Sequence, residues 1–236
     1  MRVVILAGGL GTRISEETED KPKPMVSIAG KPILWHLMNL FAKQKLNNFI
    51  LALGYKQEFA RDWVNTFDNK DNWIIDPLDT GLESQTGGRI KKCMTKYPGE
   101  RLLVTYGDGL SNVSIDKLIS FHESHGKLAT VTAVRPPARF GYMHIESAVV
   151  KNFGEKNQAD EGWINGGFFV LHPDVIDRIN DDQTSWEGEP LTSLATDGQL
   201  LAYKHSGFWQ PMDTLREKII LNDLWNNDKA PWKIWK

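Results

Sequence analysis

Cysteine is almost absent from this 236-residue chain, where Cys93 stands alone. A lone thiol excludes an internal disulfide framework and fits a reducing compartment. An excess of either charge is missing too. Lys and Arg number 28 against 30 Asp and Glu, a formal net charge of −2. That balance provides no broad basic surface for a duplex, so no nucleic-acid partner is expected. The apolar run Val3-Val4-Ile5-Leu6-Ala7 is far shorter than the roughly 20 residues a membrane span needs. The opening also lacks the longer apolar core and small-residue cleavage site of a secretory signal. A cytoplasmic protein with no membrane partner is the expectation. No Gly-x-Ser-x-Gly elbow is present, and the six histidines show no metal-ligand spacing. Repeats and low-complexity tracts are absent as well, so residues 1–236 are expected to form a single domain.

What is present reads as an α/β chain. Strands are expected at 2–7, 48–53, 73–75, 101–106 and 129–134, with helices at 32–45, 57–67, 88–96 and 115–125. Pro32 suits a first helical turn, and Ile33, Leu37, Leu40 and Phe41 recur at helical spacing. Alternation of this kind argues a Rossmann-like, mostly parallel sheet with helices on both faces. The apolar runs Val3–Ala7 and Leu102–Thr105 suit strands covered on both sides. After Val134 the rhythm changes to a small β-rich C-terminal portion. Strands are expected at 140–146, 149–155, 167–171 and 200–205, and helices at 174–180, 190–196 and 213–227. Trp225, Trp232 and Trp235 near the C-terminus are candidates for an intersubunit contact in a homo-oligomer.

Ligands of such a sheet lie beyond the carboxyl ends of its strands. Two glycine-bearing segments fall there, Gly8-Gly9-Leu10-Gly11-Thr12-Arg13 and Gly107-Asp108-Gly109. Glycines after a buried strand let backbone N–H groups approach a phosphate chain, and Arg13 adds a cationic fork. The alternative for the loop is a tight strand-to-helix turn. A Walker loop is a poor fit without Gly-Lys-Ser/Thr, and a dinucleotide fingerprint is a poor fit without Gly-x-Gly-x-x-Gly. In Lys21-Pro22-Lys23-Pro24-Met25 the prolines fix the backbone, so the lysines point in a defined direction. That suits a cation placed against a triphosphate; a solvated basic loop is the plainer alternative.

Together these segments resemble the sugar-1-phosphate nucleotidyltransferase family. Thr105-Tyr106-Gly107-Asp108-Gly109, Ile164-Asn165-Gly166-Gly167-Phe168-Phe169, Trp186-Glu187-Gly188-Glu189-Pro190-Leu191 and Gly207 through Thr214 point to its cytidylyltransferase branch, as does the closing Ala230-Pro231-Trp232-Lys233. The matching segments run from residue 3 to the C-terminus. The resemblance implies transfer of a nucleotidyl group from CTP to a phosphorylated small molecule, with glucose 1-phosphate as the expected acceptor.

It also implies roles. Leu6, Gly8, Gly9, Gly11 and Thr12 would line the nucleotide, while Arg13 and Lys23 hold its phosphates. Thr86, Gly87 and Gly88 would meet the pyrimidine. Asp108 and Asp213 would ligate Mg²⁺. Lys156 would hold the acceptor phosphate, with Gly141, Glu155 and Asn165 facing the acceptor hydroxyls. Plainer alternatives stand beside them: Asp108 as a cap of the following segment, Asp213 as a helix N-cap, Lys156 as a hairpin surface residue, Asn165 as a turn former. The chain departs from the family in a shorter stretch between Tyr55 and Asp79, and in Asn157 where the family has proline after the acceptor lysine. Tyr142, His144 and Trp163 near the acceptor pocket differ as well. A non-sugar acceptor such as a phosphorylated amino acid amide stays open, as does an inactive nucleotide-binding regulatory homologue.

Overall fold

In the computed structural model the described residues are 1–68, 72–136, 141–155 and 162–235; the side chains of Arg13, 141–145 and 152–155 fall outside the description. The chain opens with β1 (Arg2–Ala7), buried beyond its first residue. The glycine loop leads to a 3-10 turn at Thr12–Ile14 and the short α1 (Ser15–Thr18). A second 3-10 turn, Lys23–Met25, follows. A two-residue ribbon, β2 (Ser27–Ile28) and β3 (Lys31–Pro32), runs into α2 (Ile33–Lys43). Then come β4 (Asn48–Leu53), α3 (Gln57–Thr66), β5 (Ile74–Asp79), α4 (Thr86–Lys96) and β6 (Leu102–Tyr106). They are followed by β7 (Gly109–Ser111), α5 (Ile115–His125) and β8 (Ala129–Val134). The later part holds β9 (Gly141–Glu146), β10 (Val149–Glu155), β11 (Ile164–Asn165) and β12 (Phe169–Leu171). It ends with a 3-10 helix at Pro173–Arg178, α6 (Glu189–Thr196), β13 (Leu200–His205), β14 (Trp209–Pro211) and α7 (Leu215–Asn226).

Eight strands form one sheet in the order β11-β8-β12-β6-β1-β4-β5, with β13 also on β8. The β6-β1-β4-β5 half is parallel, and β13 joins β8 in parallel, while β12 and β11 run antiparallel to their neighbours. The fold is therefore the α/β, Rossmann-like one expected. Half of the strands in the β-rich later part, β11, β12 and β13, extend this same sheet; β9 and β10 form a separate hairpin, and β14 pairs with β7. Alternation of side chains gives the sheet two cores. Val3, Ile5, Ala7, Phe49 and Leu51 pack on one face with α2, α5 and α7. Val4, Leu6, Ile50, Leu102 and Val104 pack on the other with α4 and α6. Central strands buried on both faces read as unbroken apolar runs for this reason.

Several boundaries differ from expectation, each with a cause. β5 reaches Asp79 through Pro77 because it is an edge strand, where a missing N–H costs no ladder bond. β12 begins only at Phe169, since Gly167 and Phe168 both have positive φ. The segment expected as a helix over 174–180 is a 3-10 helix over Pro173–Arg178. The tryptophans near the C-terminus are largely intramolecular: Trp232 is fully buried, and Trp225 and Trp235 pack with Trp35 around buried His36. Among the described residues, no helix is long and apolar enough to cross a membrane.

Candidate active site

A cavity of about 530 Å³ opens where β1, β4 and β6 end. Leu6, Gly8, Gly9, Gly11, Thr12, Lys23, Thr86 and Asp108 line it, as do Tyr55, Tyr106, Arg89 and the loop Leu82–Gln85. Its place at the carboxyl edge of a parallel sheet follows from the topology: the βα loops converge there.

Lys23 is the centre of charge in the site. Its Nζ donates to Asp108 Oδ2 at 2.6 Å and to Asp213 Oδ1 at 2.5 Å, and the residue is 7% exposed. Pro22 is extended and Pro24 lies in the 3-10 turn, so the lysine leaves the backbone in one direction. Asp108 arrives at the end of β6. Asp213 arrives on the antiparallel ribbon of β14 with β7, where Pro211 pairs with Gly109 and Met212 N–H donates to Asp108 O at 2.8 Å. Residues 105 positions apart in sequence thus meet through one hairpin-like pairing. Asp213 is not the N-cap of α7. Thr214 is, in a capping box with Glu217, whose carboxylate also accepts the Asp213 N–H at 2.7 Å. The cap therefore leaves the Asp213 carboxylate to Lys23.

Arg89 was not singled out by the sequence. Only 4% exposed, its guanidinium donates to the carbonyls of Gly8, Leu53, Gly81 and Leu82 and to the Thr80 hydroxyl. One side chain thereby fastens the ends of β1, β4 and β5. A Cβ on Gly8 or Gly54 would collide with that guanidinium, which explains glycine at both positions. Burial lowers the Arg89 pKa from its ordinary value, and neighbouring Asp79 acts the other way. The available signal was a charged residue on the buried stripe of α4, with Ile90, Cys93 and Met94.

Gly87 and Gly88 are buried but do not line the cavity. They let α4 touch the 182–186 segment: a Cβ on Gly87 would lie 2.6 Å from Thr184 O. Thr86 does line it, but its hydroxyl donates to Glu187 Oε2 at 2.6 Å and accepts from Trp186 N–H at 2.9 Å. Asn165 uses Oδ1 to accept the Gly167 N–H, the turn-forming role, and Nδ2 to donate to the Tyr106 hydroxyl at 3.0 Å. Gly141 and Glu155 are register partners on the β9–β10 hairpin. Lys156 and the side chains of Arg13 and Glu155 lie outside the described residues.

Chemically, the cavity offers a glycine-lined backbone, a buried cation and the Asp108 carboxylate, while Asp213 lies outside the lining and meets Asp108 through the shared Lys23 ammonium. Among the described residues there is no cluster of three or more His, Cys, Asp or Glu side chains that could hold a metal by itself. A pair of carboxylates is a Mg²⁺ donor set when substrate phosphates complete the shell.

The family model described as "Nucleotidyl transferase" matches residues 2–213. Over 258 aligned positions the chain is 49% identical to the glucose-1-phosphate cytidylyltransferase of Salmonella typhi, with 100% of both chains covered. It is 42% identical to the probable glucose-1-phosphate cytidylyltransferase of Bacillus subtilis, again with 100% of both covered. Among solved structures, HddC from Yersinia pseudotuberculosis complexed with GMP-PN superposes with a TM-score of 0.72 at 28% identity, covering 95% of this chain and 99% of that one.

Proposed function

The chain belongs to the nucleotidyl transferase family, and from that premise we propose that it joins the cytidylyl group of CTP to glucose 1-phosphate, giving CDP-glucose and pyrophosphate. The observation that carries the choice of substrates is the 49% identity to a glucose-1-phosphate cytidylyltransferase, with 100% of both chains covered. The cavity supports the same reaction class from its own chemistry.

In this reaction a phosphate oxygen of the acceptor attacks the α-phosphorus of CTP in line with the departing pyrophosphate. The P–O bond to the acceptor forms as the bond to the β-phosphate's bridging oxygen breaks. No covalent protein intermediate is required, so the protein's work is positioning and charge neutralisation. Gly8, Gly9, Gly11 and Thr12 let the triphosphate approach the backbone. Lys23 and Arg13 neutralise its charge, and Lys156 holds the acceptor phosphate, with Gly141, Glu155 and Asn165 around the sugar. Thr86 and the Leu82–Gln85 loop before it form the pyrimidine-side wall, and Gly87 and Gly88 act behind it by letting α4 close on the 182–186 segment.

Asp108 and Asp213 fit Mg²⁺: they are hard oxygen donors brought to one point, and a cation, Lys23 Nζ, already lies between them. When bound, Mg²⁺ would supply Lewis-acid neutralisation of the phosphate charge. The chain's own part is to hold the two carboxylates together and free Lys23 for the nucleotide.

The test is a pyrophosphate-release screen crossing CTP, UTP, dTTP, GTP and ATP with glucose 1-phosphate, other sugar 1-phosphates and phosphorylated non-sugars. CTP with glucose 1-phosphate is expected to give the highest kcat/KM. A higher value for another pair would replace the assigned substrates, and no release with any pair would favour an inactive homologue.

A further inference from the structure

Glu187 has no role in the reaction just described, yet it sits at the junction of the two walls of the cavity. It follows the fully buried Trp186, which packs edge-on against Phe169 with ring centroids 5.6 Å apart. The 182–186 segment is laced to the start of α4. Gln85 N–H donates to Asp182 O at 2.8 Å, Gly88 N–H to Thr184 O at 3.2 Å, and Trp186 N–H to the Thr86 hydroxyl. Glu187 is thus delivered by a fixed backbone rather than by a loose loop.

Three hydroxyls donate to its carboxylate. Tyr106 reaches Oε1 at 2.6 Å; Thr86 and Ser185 reach Oε2 at 2.6 and 2.9 Å. Tyr106 and Thr86 both line the cavity, one from the end of β6 and the other from the start of α4. Each hydroxyl also accepts a bond, Tyr106 from Asn165 and Thr86 from Trp186 N–H. Neither therefore has a proton left to offer a substrate. A carboxylate beside a polyphosphate site repels its ligand, so attraction for substrate charge does not explain Glu187. Three convergent hydroxyl donors do, since a hydrogen bond to an ionised acceptor is roughly twice as strong as a neutral one.

We propose that Glu187 is a positioning residue, tying the pyrimidine-side wall at Thr86 to the acceptor-side wall at Tyr106 and Asn165 so that the acceptor is held in line with the α-phosphorus. The inference rests on the nucleotidyl transfer proposed above. Freeing the Tyr106 phenol lets the acceptor wander while Lys23 still holds the nucleotide. Displacements of about 1 Å cost on the order of a hundredfold in rate.

A double-mutant cycle tests this. Tyr106→Phe, Glu187→Ala and the double variant are compared with the unaltered protein, each melted thermally to confirm folding and titrated with CTP to count binding sites. Glu187→Gln, which keeps one acceptor oxygen, is the conservative variant. The substrate pair is the one the unaltered protein turns over best in the pyrophosphate screen, so a wrong acceptor assignment is detected before the cycle begins. Each single variant is expected to lower kcat roughly ten- to a hundredfold, with CTP KM changed less than about threefold. The double variant should be no worse than the weaker single, and Glu187→Gln should recover part of kcat. Multiplicative losses in the double variant would overturn the proposal. So would unchanged kcat in Glu187→Ala, or a loss accounted for by fewer CTP sites per chain.

Discussion

Lys23 shares its ammonium between Asp108 and Asp213 with 7% of its surface exposed, a burial tolerable only because both carboxylates answer it. The two acids in turn stay close because the lysine neutralises them. Replacing it by a neutral side chain leaves like charges side by side, and a divalent cation then gains a site from which Lys23 no longer competes. Lys23→Met is accordingly expected to bind Mn²⁺ without nucleotide roughly tenfold more tightly than the unaltered protein, read by titration calorimetry. Unchanged affinity would show that the lysine does not guard the pair. Asp108→Asn and Asp213→Asn should each fold and lose turnover on the order of a hundredfold or more. Near-normal activity of either at low Mg²⁺ would remove it from the ligand set. Lys23 and Asp108 were singled out through the family resemblance of their segments, whose proline and glycine neighbours also suit a fixed backbone. Arg89 was not, because four of its five partners are main-chain carbonyls, which carry no sequence signature.

At the scale of elements, position in the sheet decided what could be read. Strands β1, β4 and β6 are covered on both faces and announce themselves as apolar runs. β5 is only half-covered, carries Asp76 and Pro77, and was legible only over its first residues. The start of α7 shows a subtler limit. Asp213, Thr214 and Glu217 all suit a cap, and only the backbone geometry selects Thr214. That choice matters, because the cap sets the entry of the chain and hence the place of the Asp213 carboxylate. Thr214→Ala is expected to cost about 1 kcal/mol, measured as a shift of the urea midpoint without a change of slope. Since Glu217 still accepts the Asp213 N–H, turnover should fall less than in Asp213→Asn. A stability change within about 0.3 kcal/mol would mean that water replaces the cap at no cost.

For the whole molecule, the two cores on either face of the sheet hold buried groups that couple stability to pH. His36 is fully buried among tryptophans, and burial pushes its pKa down to about 4, partly opposed by the Ile28 carbonyl; His122, 2% exposed, is also lowered to about 4, chiefly by burial. Both are neutral in the folded chain near pH 6, while the unfolded chain takes up protons below about pH 6.5. Stability is therefore full above that pH and falls towards pH 4 by about 1.4 kcal/mol per unit for each histidine. Urea midpoints at pH 7 and pH 5 should differ accordingly, and equal midpoints would contradict the burial of both rings. The cavity itself also belongs to the whole molecule, because its lining comes from the ends of β1, β4 and β6, from α4 and from the Leu82–Gln85 loop pinned by Arg89. A nucleotide bound there bridges loops from both sides of β1 and binds only the folded chain. At a hundred times its Kd such a ligand adds about 2.7 kcal/mol of stability, and for a chain of this size each kcal/mol raises Tm by roughly 2–4 °C. CTP with Mg²⁺ is expected to raise Tm by about 5–10 °C at that saturation, followed by scanning fluorimetry. Gln85 and Thr86 line the cavity at the start of α4, and a pyrimidine's small edge can be met by main-chain groups of the loop ahead of that helix. dTTP and ATP at the same concentration should therefore shift Tm by clearly less. An equal or larger shift with either would mean that this wall senses the triphosphate alone, and the choice of CTP would have to lie elsewhere in the chain.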